Sequence, residues 1–174
     1  MTEQEFLEAC ERLEIPEAQR KHIAPATPPR AKMAVARGLL PIPPKVLLPM
    51  QYLLLGDADT AVAGEAESAM LSLPGERLVP LLDRATHPKI LEFLAYRREE
   101  DQQLHELIVL SHQVNDKTLC YLAERGSERI CEIVANNQER LIITPLLASA
   151  QMIWAEIPAL AAAWALCSST FRSM

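Results

Sequence analysis

Apolar positions Phe6, Leu7, Cys10 and Leu13 recur at the spacing of one helical face, and Thr2 three positions before Glu5 has the form of a capping box. The pattern predicts a helix over 3–13, ended by Ile15 and Pro16, and a second short helix over 16–22. Eight of the thirteen prolines then fall between Pro16 and Pro49. Proline lacks the backbone donor and drives its predecessor out of helical geometry, so this stretch should break into short elements and extended turns. Two helical turns are expected over 31–37, stopped by Gly38, and a further helix over 45–55, with Pro49 tolerated only near its first turn.

From Asp57 the rhythm changes to helices separated by short polar turns. Asp59, Val62, Ala63 and Ala66 lie 28 residues before His87, Ile90, Leu91 and Leu94, and these lie 28 before Asn115, Thr118, Leu119 and Leu122. Each helix thus has a polar starter, apolar residues three and four positions later, and another apolar residue one turn on. Second helices agree less strictly, over 78–82, 104–110 and 130–135, with a terminal unit at 141–150. A period of this length suits a solenoid, where one helix pair cannot bury its own apolar face and stacking completes the core. Leu91, Leu94, Leu119 and Leu122 should be buried between helices. Leu- and Ala-rich helices can give such a recurrence by chance, and either origin predicts an all-α fold.

The runs HPKILEFLA, LHELIVLSHQVNDKTLCYLA and ERICEIVANNQERLIITPLLASA resemble the bacterial HEAT-like or leucine-rich-repeat-variant α-solenoid domains of uncharacterised function, over residues 57–150. The resemblance implies a short right-handed α-solenoid of stacked antiparallel helix pairs and a role in protein binding. The Pro-rich segment 39–55 and the apolar residues after Ala150 depart from a plain repeat. The expected division is a helical arm and Pro-rich N-terminal cap over 1–56, HEAT-like repeats over 57–150, and an apolar C-terminal helix or oligomerisation tail over 151–174.

Charge changes this picture in one place. The net charge is -6, yet six acids and one base occur up to Glu17, and from Ala18 to Gln51 there is no acid while Arg20, Lys21, Arg30, Lys32, Arg37 and Lys45 are basic. An acidic surface repels phosphate backbones, and the basic segment has Tyr52 as its nearby ring, so intramolecular pairing with the acidic body is favoured over nucleic-acid binding. At 49% hydrophobic content and 174 residues the chain can bury a core without disulfides or metal. Cys10, Cys120, Cys131 and Cys167 show no CxxC spacing, and no secretory leader is evident, which fits buried thiols in a cytoplasmic protein. The apolar stretch 152–167 contains Glu156 and Pro158 and is shorter than the roughly 20 residues a transmembrane helix needs.

Candidate chemistry is sparse. Asp101, His105 and His112 would share one helical side if their helix continued, but no HExxH or second carboxylate accompanies them. Cys120 and Cys131 read as small buried hydrophobes rather than nucleophiles. Asn115 and Asp116, then Asn136, Asn137, Gln138 and Arg140, read first as helix-end residues and second as contacts for a partner. The chain has no GxGxxG, GxxxxGK or GxSxG, so no nucleotide or other cofactor and no metal is expected. Trp154, Ile157, Leu160 and Trp164 can form one apolar face, with Pro158 dividing or tilting the helix. Such a face predicts a twofold homodimer; docking of a different protein and a final core helix are the competing readings.

The sequence therefore predicts a non-catalytic protein-binding scaffold or adaptor. Binding of nucleic acid or an anionic ligand through 18–56, and an enzyme with an unfamiliar His/Asp/Cys site, are the alternatives.

Overall fold

The computed structural model describes residues 2–78, 80–82 and 86–136. Among these the chain forms ten α-helices and no strand. Backbone contacts divide it into a compact unit Met1–Glu99 and a second unit beginning at Glu100.

In the first unit, α1 (Glu3–Arg12) starts with the expected capping box. Thr2 Oγ1 accepts from the Glu5 amide at 3.3 Å and Glu5 Oε2 accepts from the Thr2 amide at 2.7 Å. The helix ends in a Schellman turn: the Ile15 amide donates to Cys10 O at 2.9 Å and the Glu14 amide to Glu11 O at 3.0 Å. This turn places Glu14 at φ 53, the left-handed region that favours glycine. Buried Ile15 and Cys10 supply its apolar residues. The short α2 (Glu17–Arg20) follows.

Three helices, α3 (Pro29–Ala36), α4 (Pro44–Leu54) and α5 (Thr60–Ser72), pack against one another pairwise. Pro29 and Pro44 open their helices in the first turn, where a missing donor costs nothing. The chain leaves α3 through a second Schellman turn in which Gly38 has φ 66 and the Leu39 amide donates to Ala34 O at 2.9 Å. That turn lifts Leu39 to 70% exposure, while Ile42 and Leu48 are buried. Pro49 departs from the expectation. It lies in the interior of α4 rather than near its first turn. Interior proline costs about 3 kcal/mol, and three apolar side chains of α4, Leu48, Met50 and Leu54, are buried, each contributing roughly 1.5–3 kcal/mol. Burial wins.

The four-residue α6 (Gly75–Leu78) is shorter than the 78–82 helix expected; Leu81 and Leu82 belong to a turn around Pro80. Then α7 (Pro88–Arg97) buries Ile90, Leu91, Leu94 and Ala95. It is fixed by an edge-on contact of Phe93 with Tyr52 of α4, centroids 6.1 Å apart, by an Arg97–Glu67 ion pair to α5, and by Arg98 Nη1 donating to Leu73 O at 2.6 Å.

The second unit contains α8 (Gln102–Leu110), α9 (Asp116–Arg125) and α10 (Glu128–Asn136), each packed against the other two. Leu104, Ile108, Leu119, Leu122, Ile130 and Val134 form its apolar interior. The α9–α10 turn is closed so tightly that a Cβ on Gly126 would sit 2.3 Å from Leu122 O and 2.9 Å from Ile130 Cβ, so the position tolerates no side chain.

Two substitutions test these features. Leu94, fully buried, should cost about 2–5 kcal/mol on truncation to alanine. Relieving the left-handed strain with Glu14→Gly should raise stability by roughly 1 kcal/mol, since a side chain costs about that much there. Urea unfolding midpoints measure both, and a Glu14→Gly variant less stable than the parent would contradict the reading of that turn.

Candidate functional site

The polar residues that start the 28-residue recurrence serve as helix caps. Asp59 Oδ1 accepts from the Ala61 amide at 2.9 Å, His87 Nδ1 from the Lys89 amide at 3.2 Å, and Asn115 Oδ1 from the Thr118 amide at 2.7 Å. Asp101 does the same for α8, accepting from the Leu104 amide at 3.1 Å. Asn115 is thus engaged as a cap, while Asp116, beside it in the first turn of α9, is exposed, as is Asn136 at the end of α10. Asn137, Gln138, Arg140, Trp154 and Trp164 lie outside the described residues.

The Asp101, His105 and His112 line does not form along one helix. His105 is buried on α8, but the helix stops at Leu110 and Ser111 turns extended, leaving His112 in the following turn. Ser111 Oγ accepts from the Gln113 amide at 3.3 Å, a local bond that competes with helix continuation. Among the described residues no group of three or more His, Cys, Asp or Glu is placed to hold a metal ion. Cys10, Cys120 and Cys131 are free, and burial pushes each thiol above its ordinary pKa, away from the thiolate that nucleophilic chemistry requires. Cys131 Sγ instead donates to Ala123 O at 3.4 Å.

Lys32 and Arg37 of the basic segment pair with acids of the same unit. Lys32 Nζ donates to Asp57 Oδ2 at 2.7 Å, both side chains about nine-tenths buried, and Arg37 Nε donates to Glu65 Oε1 at 3.1 Å on the surface. Asp57 Oδ1 also accepts from the Asp59 amide at 2.9 Å, so the ion pair leads directly into the cap of α5. Burial raises the Asp57 pKa, but the Lys32 hydrogen bond, the Asp59 amide and the Lys32 charge together outweigh it and hold the carboxyl below its ordinary value. Arg20 Nε donates to Ile15 O at 3.0 Å. Tyr52, the ring nearest the basic segment, is packed on Phe93.

A cleft that sequence reasoning did not single out opens beside α1. It has a volume of about 310 Å³, with Phe6, Leu7, Ala24, Pro25 and Ala26 as apolar lining and Glu3, Glu17, Arg20 and Lys21 as charged lining. Phe6 is 3% exposed and forms buried floor; Leu7 is 43% exposed and is presented to solvent. Next to the lining, Thr27 Oγ1 donates to Lys21 O at 2.8 Å. The sequence signal was the width of the apolar stripe on α1: Phe6, Cys10 and Leu13 are buried, and Leu7 is the surplus. No helix among the described residues is long and apolar enough to cross a membrane.

Because the Asp57 pKa is lowered on folding, its stabilisation is full above the unfolded carboxylate pKa, near ~3.9, and is lost as pH falls through the lower folded value. Asp57→Asn should therefore cost about 3 kcal/mol at pH 7 by leaving the largely buried Lys32 without its counter-charge. The gap between parent and variant in urea unfolding should narrow as pH falls below about 4, and a gap constant down to pH 2 would contradict this account. Comparison of the chain with protein-family models, with curated proteins and with solved structures finds no match.

Proposed function

We propose that this chain is a non-catalytic protein-binding scaffold of the HEAT-like, right-handed solenoid kind, with the Pro-rich segment as its N-terminal cap, and that it grips a partner segment in the cleft beside α1. The half-exposed Leu7 over the buried Phe6 carries this reading. A cleft of this size accepts one or two side chains, and its lining combines apolar surface with charges of both signs, Glu3 and Glu17 together with Arg20 and Lys21. The complementary occupant is a peptide that inserts one bulky apolar side chain against Leu7 and Pro25 and carries a cation and an anion beside it.

Other observations support a binding role. Asp59, His87, Asp101 and Asn115 are engaged as caps, and the described cysteines are held as thiols. The pairing of Lys32 with Asp57 and of Arg37 with Glu65 weakens the alternative of a basic arm reading phosphate. Exposed Asp116 and Asn136 belong to the proposed contact surface of the second unit. Homodimerisation through 152–167, with Trp154 and Trp164, is part of the same proposal and rests on the sequence.

A displayed random-peptide library selected on the protein tests the cleft. Enriched peptides should share an apolar residue flanked by opposite charges and should lose at least roughly tenfold in affinity toward Leu7→Glu, the loss expected when an interface anchor is removed. The circular dichroism of that variant should be unchanged. Peptides that bind Leu7→Glu as tightly as the parent would sink the assignment of the cleft.

A further inference from the structure

The three recurring helix starters differ in one chemical respect. Asp59 and Asn115 present oxygen acceptors, but His87 caps α7 through ring nitrogen Nδ1. That hydrogen bond requires Nδ1 to be unprotonated, with the neutral ring carrying its proton on Nε2. The next residue is Pro88, which has no amide hydrogen, so the Lys89 amide that His87 accepts is the first donor of the helix.

We propose that His87 is a proton-sensitive latch on α7, closed when the imidazole is neutral and opened by its protonation. Three effects act in the same direction when the ring takes up a proton. The acceptor becomes a donor facing the Lys89 amide. A positive charge is placed at the positive end of the helix dipole. The charged groups acting on the ring among the described residues are Arg12 of α1 and Lys89 of α7, both cationic, so the new charge meets repulsion from both elements. Partial burial disfavours the imidazolium further, and the ring's pKa lies below its ordinary value.

For a histidine whose folded pKa is depressed, the stabilisation is present above the unfolded value near ~6.5 and is lost as pH falls from there through the folded pKa. The effect should be local. The far half of α7 is held by Phe93 on Tyr52, by Arg97 to Glu67 and by Arg98 to Leu73 O, none of which involves His87. Protonation therefore frees the first turn, whose Ile90 and Leu91 amides donate to His87 O, and leaves the last turn seated. Asn115 gives α9 no such response, because its side-chain amide is not a titrating group.

Hydrogen exchange of the full chain, corrected for the intrinsic pH dependence of exchange, tests the latch. Between pH 7.5 and 5.0 the Lys89, Ile90 and Leu91 amides should lose about five- to tenfold in protection, the range expected of a lost cap, while the Arg97 and Arg98 amides stay unchanged. His87→Asn keeps an acceptor that does not titrate, and should abolish the loss. Nitrogen NMR of the parent gives a check that does not depend on any variant: the neutral ring should carry its proton on Nε2 and titrate below 6.5. Protection that does not change with pH, a loss that persists in His87→Asn, or a ring protonated on Nδ1 at pH 7.5 would overturn the proposal.

Discussion

The Lys32–Asp57 ion pair is the contact on which the first unit depends. One oxygen of Asp57 takes the ammonium of Lys32, the other takes the Asp59 amide, and Asp59 in turn accepts the Ala61 amide that opens α5. A segment with no acid of its own is thus joined through one carboxylate to the start of the first recurring helix. Desolvating the two charges is expensive, and the cost is offset because each has a close partner and Asp57 a second hydrogen bond. Without that carboxylate, α3 would keep a largely buried ammonium with no counter-charge, and α5 would lose the residue that positions its cap.

This arrangement decides what the charge pattern means. A basic stretch in an acidic chain looks like an arm for an anionic partner, yet two of its cations are taken up by Asp57 and Glu65 of the same unit. The polar residues that head the apolar helices are likewise engaged, each satisfying an amide that helix geometry leaves without a partner. What remains for recognition is surface that helix packing left uncovered, and the surplus Leu7 on α1, beside the Ala24, Pro25 and Ala26 wall, is such a surface.

Helix starts were legible in the sequence because capping is local chemistry. Thr2 with Glu5, and Asp59, His87 and Asn115 at equal intervals, announce themselves within a few residues, and most of the positions that follow are buried, with Leu7 exposed and Ala63 half-buried. Gly38 as a helix stop was legible for the same reason. Pro49 was not, since its place inside α4 is decided by Met50 and Leu54 burying themselves, a gain no local rule contains. The end of α8 at Leu110 had a readable sign in Ser111, whose side chain offers the turn an alternative bond, but the histidine spacing obscured it. The cleft was illegible as a whole, because Leu7 and Pro25 meet through the turn after α2 and not through any spacing along the chain.

The most direct measurement of this account is a double-mutant cycle on Lys32 and Asp57, using Lys32→Met, Asp57→Leu and the pair, read by urea unfolding at pH 7. Each single change should destabilise strongly, and the double variant much less than their sum, with a coupling above about 1 kcal/mol as expected of partners in one buried network. Effects that add within roughly 0.3–0.5 kcal/mol would show the two residues to be energetically independent and would contradict the central role given to the pair.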